Sequence, residues 1–136
     1  MRYNILFSTV IISTLLSCRT EEGCKKIENS IKEENYHLVL SAKPEKNSGN
    51  GTWFYEVKGK DLDSNTDTII HLDNYRWYES FYYLWDKGDT LVKAKGSLIT
   101  EIHKKDTIYH MQWDCEDPKL NGISTKFFKP PKGNNH

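Results

Sequence analysis

The chain has 136 residues, 37% hydrophobic and 28% charged, with nineteen basic and nineteen acidic side chains that cancel. That length excludes a nucleotide-binding domain plus a second catalytic domain, and the balanced charge gives no field for a polyanion, so no nucleic-acid partner is expected. Removing a 17-residue leader leaves 119 residues with forty of the fifty apolar side chains, fifteen of them aromatic and only Ala42 and Ala94 alanine, a balance that suits pleated sheet better than helix bundles.

Met1 and Arg2 form a short basic start, Ile5 to Leu16 is uncharged with eight apolar positions of twelve, and Ser17 is small. This is the layout of a secretion signal over residues 1–17. As a helix the apolar run rises about 18 Å, short of the ~30 Å hydrocarbon core, so it does not make a transmembrane span. Cys18 follows directly, and Leu15-Leu16-Ser17-Cys18 resembles the lipobox of bacterial lipoproteins. The resemblance implies cleavage before Cys18, acylation of its thiol with palmitate-type chains, a tether over 18–23 and attachment to membrane lipid. Each buried methylene contributes ~0.8 kcal/mol, so two or three chains hold firmly. Arg19-Thr20-Glu21-Glu22 lacks the aspartate that in this family often signals inner-membrane retention, which favours the outer membrane. Glu21-Glu22 is similar to the tag that exports Bacteroidetes lipoproteins to the surface, leaving the periplasmic face and the cell surface both open.

Cys24 and Cys115 remain, and an exported chain meets oxidising chemistry, so a Cys24–Cys115 disulfide is expected, with two buried unpaired thiols as the alternative. The closed loop of about ninety residues would be worth ~4 kcal/mol by chain entropy.

From Cys24 to Asn35 the residues Cys24, Ile27 and Ile31 fall three and four apart, the stripe of a short amphipathic helix. The period then changes to two: Tyr36, Leu38, Leu40 and Ala42 alternate with His37, Val39 and Ser41, which predicts a strand. Lys43 to Gly51 has turn chemistry and reads as an exposed loop. Trp53, Tyr55 and Val57 on one strand and Thr68 to Leu72 on another predict a hairpin. Residues 75–85 hold seven aromatics in eleven positions and are too uniformly apolar to assign faces. Thr90 to Ala94, Ser97 to His103 and Thr107 to Trp113 predict three further strands. Burying Leu98, Thr100 and Ile102 together with Thr107, Tyr109, Met111 and Trp113 calls for Ile102 opposite Thr107 and Leu98 opposite Met111. The expected body is mainly β, a small antiparallel sandwich or open barrel of six or seven strands with one short N-terminal helix, over 24–120, and 121–136 is an irregular tail.

The stretch Gly88 to Cys115 resembles the closing hairpins of small Bacteroidetes lipoproteins, which implies secreted β structure and no activity. Asp-Thr-aliphatic recurs at Asp67-Thr68-Ile69, Asp89-Thr90-Leu91 and Asp106-Thr107-Ile108. Turn-to-strand propensity accounts for it. It also resembles an O-glycosylation acceptor of Bacteroidetes periplasmic proteins, which would make Thr68, Thr90 and Thr107 acceptors.

Asp61, Asp63, Asn65 and Asp67 alternate oxygen donors like a calcium loop, but Thr66 replaces the turn glycine and Leu72 stands where a closing Glu belongs. A polar hairpin connection is the commoner explanation of such a run. His37, His71, His103, His110 and His136 have no metal-ligand spacing, and the first four read as solvent-side strand positions. Nucleophile elbows and phosphate-cradling glycine loops are absent from the sequence, and paired carboxylates such as Glu79 with Asp86 are unspecific. The aromatics Tyr75, Trp77, Tyr78, Tyr82 and Trp85 either fill a small alanine-poor core or form a platform for sugars or a protein. The expected function is that of a noncatalytic, envelope-anchored accessory or binding lipoprotein without a cofactor. The alternatives are a glycan-binding module, an immunity or inhibitor protein against an envelope-acting enzyme and, last, a small hydrolase.

Overall fold

The structure is a computed structural model that describes residues 21–73 and 75–128; the signal peptide 1–17, Cys18 and the second half of the expected tail, 129–136 with His136, lie outside them. Helix α1 (Glu21–Glu33) carries Glu21 and Glu22 in its first turn and Lys32 in its last, charges that complement the helix dipole. It starts inside the expected tether, so residues 21–23 are helical. Of the predicted stripe, Ile31 is fully buried and Cys24 is bonded to Cys115, while Ile27 stays 42% exposed.

The strands are β1 (Tyr36–Leu40), β2 (Glu45–Gly49), β3 (Thr52–Asp61), β4 (Asp67–Leu72), β5 (Thr90–Lys93), β6 (Ile99–His103), β7 (Ile108–Gln112), β8 (Lys119–Leu120) and β9 (Ile123–Ser124). They form a single nine-stranded antiparallel sheet, mainly β as expected and not closed into a barrel. The ten-residue β3 is its spine. One edge of β3 takes β4; the other takes β1 against Gly59 to Asp61 and β2 against Thr52 to Glu56, after which β5 to β9 follow in order. A Cβ on Gly59 would stand 2.6 Å from the carbonyl oxygen of Val39. Glycine is what lets β1 lie that close to β3.

Three expectations are corrected. Residues 43–51 are not wholly loop, because β2 pairs with β3 across Asn50-Gly51, whose φ values of 50° and 78° make a two-residue hairpin turn. The tail is not irregular at its start: Asn121-Gly122, at φ 50° and 79°, closes the β8–β9 hairpin, and Phe128 packs against the core. Between β6 and β7 the register slips by two residues from the expected one, with Ile102 opposite Tyr109 and Thr100 opposite Met111. A slip of two keeps every side chain on its face. The turn sets the pairing, since Lys104 N donates to Thr107 O at 2.8 Å and leaves Lys105-Asp106 as the tip.

The core lies on one face only. Leu38, Leu40, Tyr55, Val57, Leu91, Ile102 and Met111 all point to it. The cover comes from Ile31 of α1 and from the β4–β5 connection, which forms helix α2 (Tyr75–Glu79) and a 3₁₀ turn over Tyr82–Leu84. Trp77, Tyr78, Phe81 and Trp85 are buried there, their rings meeting edge to face or tilted, Trp77 to Phe81 at 4.6 Å and Tyr78 to Trp85 at 5.6 Å. Only Trp77 and Tyr78 belong to α2, while Phe81 and Trp85 flank the 3₁₀ turn, and each such buried side chain contributes roughly 2–3 kcal/mol by leaving water.

Candidate functional site

The inner side holds a polar cluster where the end of α1 meets β1, α2 and β5. The Tyr78 hydroxyl donates to Glu34 Oε2 and receives the Tyr36 hydroxyl at 3.0 Å. Burial raises both phenols above their ordinary value, and the neighbouring Glu34 carboxylate adds to the shift. Lys93, only 1% exposed, donates to the carbonyl oxygens of Ser97 at 2.6 Å and Ala94 at 3.2 Å. Burial pulls its ammonium below the ordinary range, and the charge of Glu34 partly restores it. Gly96 N in the same turn donates to Lys32 O at 2.7 Å, so Lys93 fixes the turn that receives the end of α1. These groups are enclosed, and their geometry is that of a brace between elements. The sequence held one signal for it: Lys93 falls two residues from Leu91 and so shares its face.

The outer face of the same sheet is uncovered by any element among the described residues and carries four histidines. His37 Nδ1 lies 3.2 Å from Asp63, His71 Nε2 3.6 Å from Glu56, and Glu101 bridges His103 Nε2 at 2.7 Å and His110 Nε2 at 3.4 Å. The Lys58 ammonium, 3.0 Å away, together with His71 holds the Glu56 carboxyl below the ordinary carboxylate range. Ile69, Ile99 and Ile108 stand exposed between these pairs. The positions of the histidines follow from strand alternation. Their carboxylate partners do not, because they depend on register between strands distant in sequence.

The remaining sequence-derived sites separate. Cys24 and Cys115 are joined by a disulfide with their Cα atoms 5.7 Å apart, within the usual span. Asp61, Asp63, Asn65 and Asp67 do not converge on a common point for a cation. Asp61 Oδ1 is occupied by its own turn, accepting from the backbone N–H of Ser64 at 2.7 Å and of Asp63 at 2.9 Å, Asp63 faces His37, and Asn65 takes the left-handed φ of 58°. No group of His, Cys, Asp and Glu able to hold a metal ion occurs among the described residues. Glu79 and Asp86 are not a pair: Glu79 meets Lys46 at 2.8 Å and Asp86 meets Lys104 at 3.0 Å.

Of the two readings of the aromatic segment, the core rather than the platform describes three of its rings. Trp77, Tyr78 and Trp85 are buried and have no ring face for a sugar, while Tyr82, 37% exposed, is stacked on buried Tyr55 at 5.5 Å. The side chain of Tyr75 lies outside the described residues. The three Asp-Thr-aliphatic triplets do stand where turns enter strands, with Thr68 and Thr90 half-buried and Thr107 exposed. Asp89 accepts from the N–H of Asp86 at 2.8 Å and so stabilises its turn. Thr68 lines an open depression of about 430 Å³ with Ser41, Lys58, Gly59, Asp67 and Ile69.

Among the described residues the fold is an open, one-faced antiparallel β sheet stapled to helix α1. Comparison with protein-family models, curated proteins and solved structures finds no match for the chain.

Proposed function

We propose that this chain is a lipid-anchored protein of the bacterial envelope, at the outer membrane, that works by binding rather than by catalysis. The observation that carries the reading is the order of basic start, twelve-residue uncharged run, small residue and Cys18 at the head of the chain. The Cys24–Cys115 disulfide supports it, because such bonds persist in exported proteins and rarely in the cytosol. Glu21 opens α1 three residues after Cys18, a separation that spans at most about 11 Å even when fully extended. An acylated Cys18 would therefore hold the sheet close to the bilayer.

Binding is favoured over catalysis because the clustered polar groups of the interior are enclosed, whereas the accessible chemistry lies on the outer face. That face alternates ion pairs with exposed isoleucines, a composition that suits a protein partner better than a stacked sugar. The test is metabolic labelling of the full chain with an alkyne-bearing fatty acid, in the wild type and in Cys18→Ala. The wild type should take up label and sediment with membranes, and Cys18→Ala should lose the label. An unlabelled wild type, or label that persists without Cys18, defeats the reading.

A further inference from the structure

The unpaired edges of β2, β4 and β9 differ in chemistry. The outer side of β2 presents Glu45, Lys46, Asn47, Ser48 and Gly49, and β9 is only two residues long. Charge, glycine and shortness are the usual devices that keep an edge from pairing. The six-residue β4, Asp67-Thr68-Ile69-Ile70-His71-Leu72, has no lysine and no proline, and among the described residues it pairs with β3 alone. Ile69, at 57% exposure, is the most exposed aliphatic side chain among them.

Register decides which backbone groups of β4 are free. Asp61 N donates to Thr66 O at 2.9 Å, and the ladder continues through Lys60 opposite Asp67 and Gly59 opposite Thr68. Hydrogen-bonded pairs alternate along an antiparallel ladder, so Thr66, Thr68 and Ile70 turn their N–H and C=O groups toward β3, while Asp67, Ile69 and His71 turn theirs outward. The side chains of these same three residues share the outer face.

We infer that β4 is a self-association edge, and that its partner is the β4 of a second copy of this chain, joined antiparallel about a two-fold axis at Ile69. In that register Ile69 opposes Ile69 of the second copy, and Asp67 opposes the second copy's His71 on either side of the axis. All three are hydrogen-bonded pairs, each exchanging both of its N–H···O bonds, so every outward backbone group of the edge is satisfied at once. An acid facing an imidazole and an isoleucine facing an isoleucine make the edge its own complement, as an isologous contact requires. A register shifted by one would put core-facing Ile70 against outward Ile69 and is excluded.

The test uses the purified full chain in detergent. Paired residues of this kind have Cα atoms about 5.5 Å apart, inside the span of a disulfide. Ile69→Cys, oxidised with copper phenanthroline, should run as a covalent dimer on a non-reducing gel. Ile108→Cys, on the same face but on β7, remote from β4 in the sheet order, and 47% exposed at its native isoleucine, should stay monomeric. A dimer absent from Ile69→Cys, or equal in both, overturns the inference. Asp67→Lys should weaken self-association measured by sedimentation about tenfold, and the exchange Asp67→His with His71→Asp should restore it. Failure of the exchange to restore it, with helical and sheet signals unchanged, also overturns the inference, as does a monomeric mass for the wild type throughout. This outcome is independent of acylation at Cys18, since oxidant is supplied and mass is read in detergent.

Discussion

Along β3, Tyr55, Val57 and Gly59 are buried while Phe54, Glu56 and Lys58 between them look outward, and the same division runs through β1, β5, β6 and β7. One side of the sheet is roofed by α1 and by the rings of residues 77–85; the other carries four histidines paired to carboxylates and three bare isoleucines. A single sheet with one roof can build only one hydrophobic layer, so stability is concentrated in a few large side chains. The opposite face is left without a roof among the described residues. The disulfide fits this division, because it ties the roof helix to the segment following β7 at a sequence separation of 91.

The sharpest way to break the comparison is to remove a roof ring. Trp85 is fully buried and packs on Tyr78, so Trp85→Ala should cost about 3–5 kcal/mol, the usual range for a buried aromatic truncated to alanine. For a chain with so thin a core that approaches its whole stability. Thermal melting followed by circular dichroism reads it, and a midpoint within a few degrees of wild type would mean that the roof is not where the stability resides.

Much of this division is legible in the sequence, because strand alternation needs only local information. Tyr36-Leu38-Leu40, Leu98-Thr100-Ile102 and Met111-Trp113 all fall on the faces that alternation assigns, and the helix stripe and the disulfide pair follow from spacing and compartment. The roof is not legible, because seven aromatics in eleven positions give no period to read. Its faces are fixed only when Trp77, Tyr78, Phe81 and Trp85 meet the sheet's core side chains. β2 was hidden for a different reason: its five residues are polar on both sides, and only the Asn-Gly turn at 50–51 betrays a hairpin. The brace of Glu34, Tyr36, Tyr78 and Lys93 joins residues up to 59 apart in sequence, and no local pattern reaches that far.

That brace supplies the next prediction, in pH. Tyr36 and Tyr78 keep their protons in the folded chain well above the ordinary phenol value of 10.0, mainly through burial. Their contribution is fully present below pH 10, and above it the unfolded chain releases protons that the folded chain retains, so stability falls as pH rises. Lys93 acts with the opposite sign. Its lowered value means that between that value and 10.5 the unfolded chain holds the proton more tightly, so stability rises with pH up to about 10.5. The net loss should therefore begin above pH 10 and be carried by the phenols. Tyr36→Phe, which leaves the Tyr78 to Glu34 bond in place, should cost about 1 kcal/mol at neutral pH and flatten the alkaline decline seen in urea titrations from pH 8 to 11. An unchanged alkaline slope would show that Tyr36 does not titrate with unfolding.

The outer face should respond least, and its indifference is the other half of the comparison. Ile108 pairs with His103 in the ladder, is 47% exposed and belongs to no core contact. Ile108→Thr keeps the β-branched backbone preference and removes only surface that water already reaches, so the midpoint should move by no more than about 0.5 kcal/mol equivalent. If recognition uses this face, the same change should weaken capture of a partner while leaving the melt alone, since an exposed isoleucine between charged pairs contributes to an interface only once a second surface covers it. A loss of several kcal/mol from Ile108→Thr would mean instead that something already covers the outer face in the isolated chain. The sheet would then have two roofs, and the argument that one side is reserved for binding would have to be abandoned.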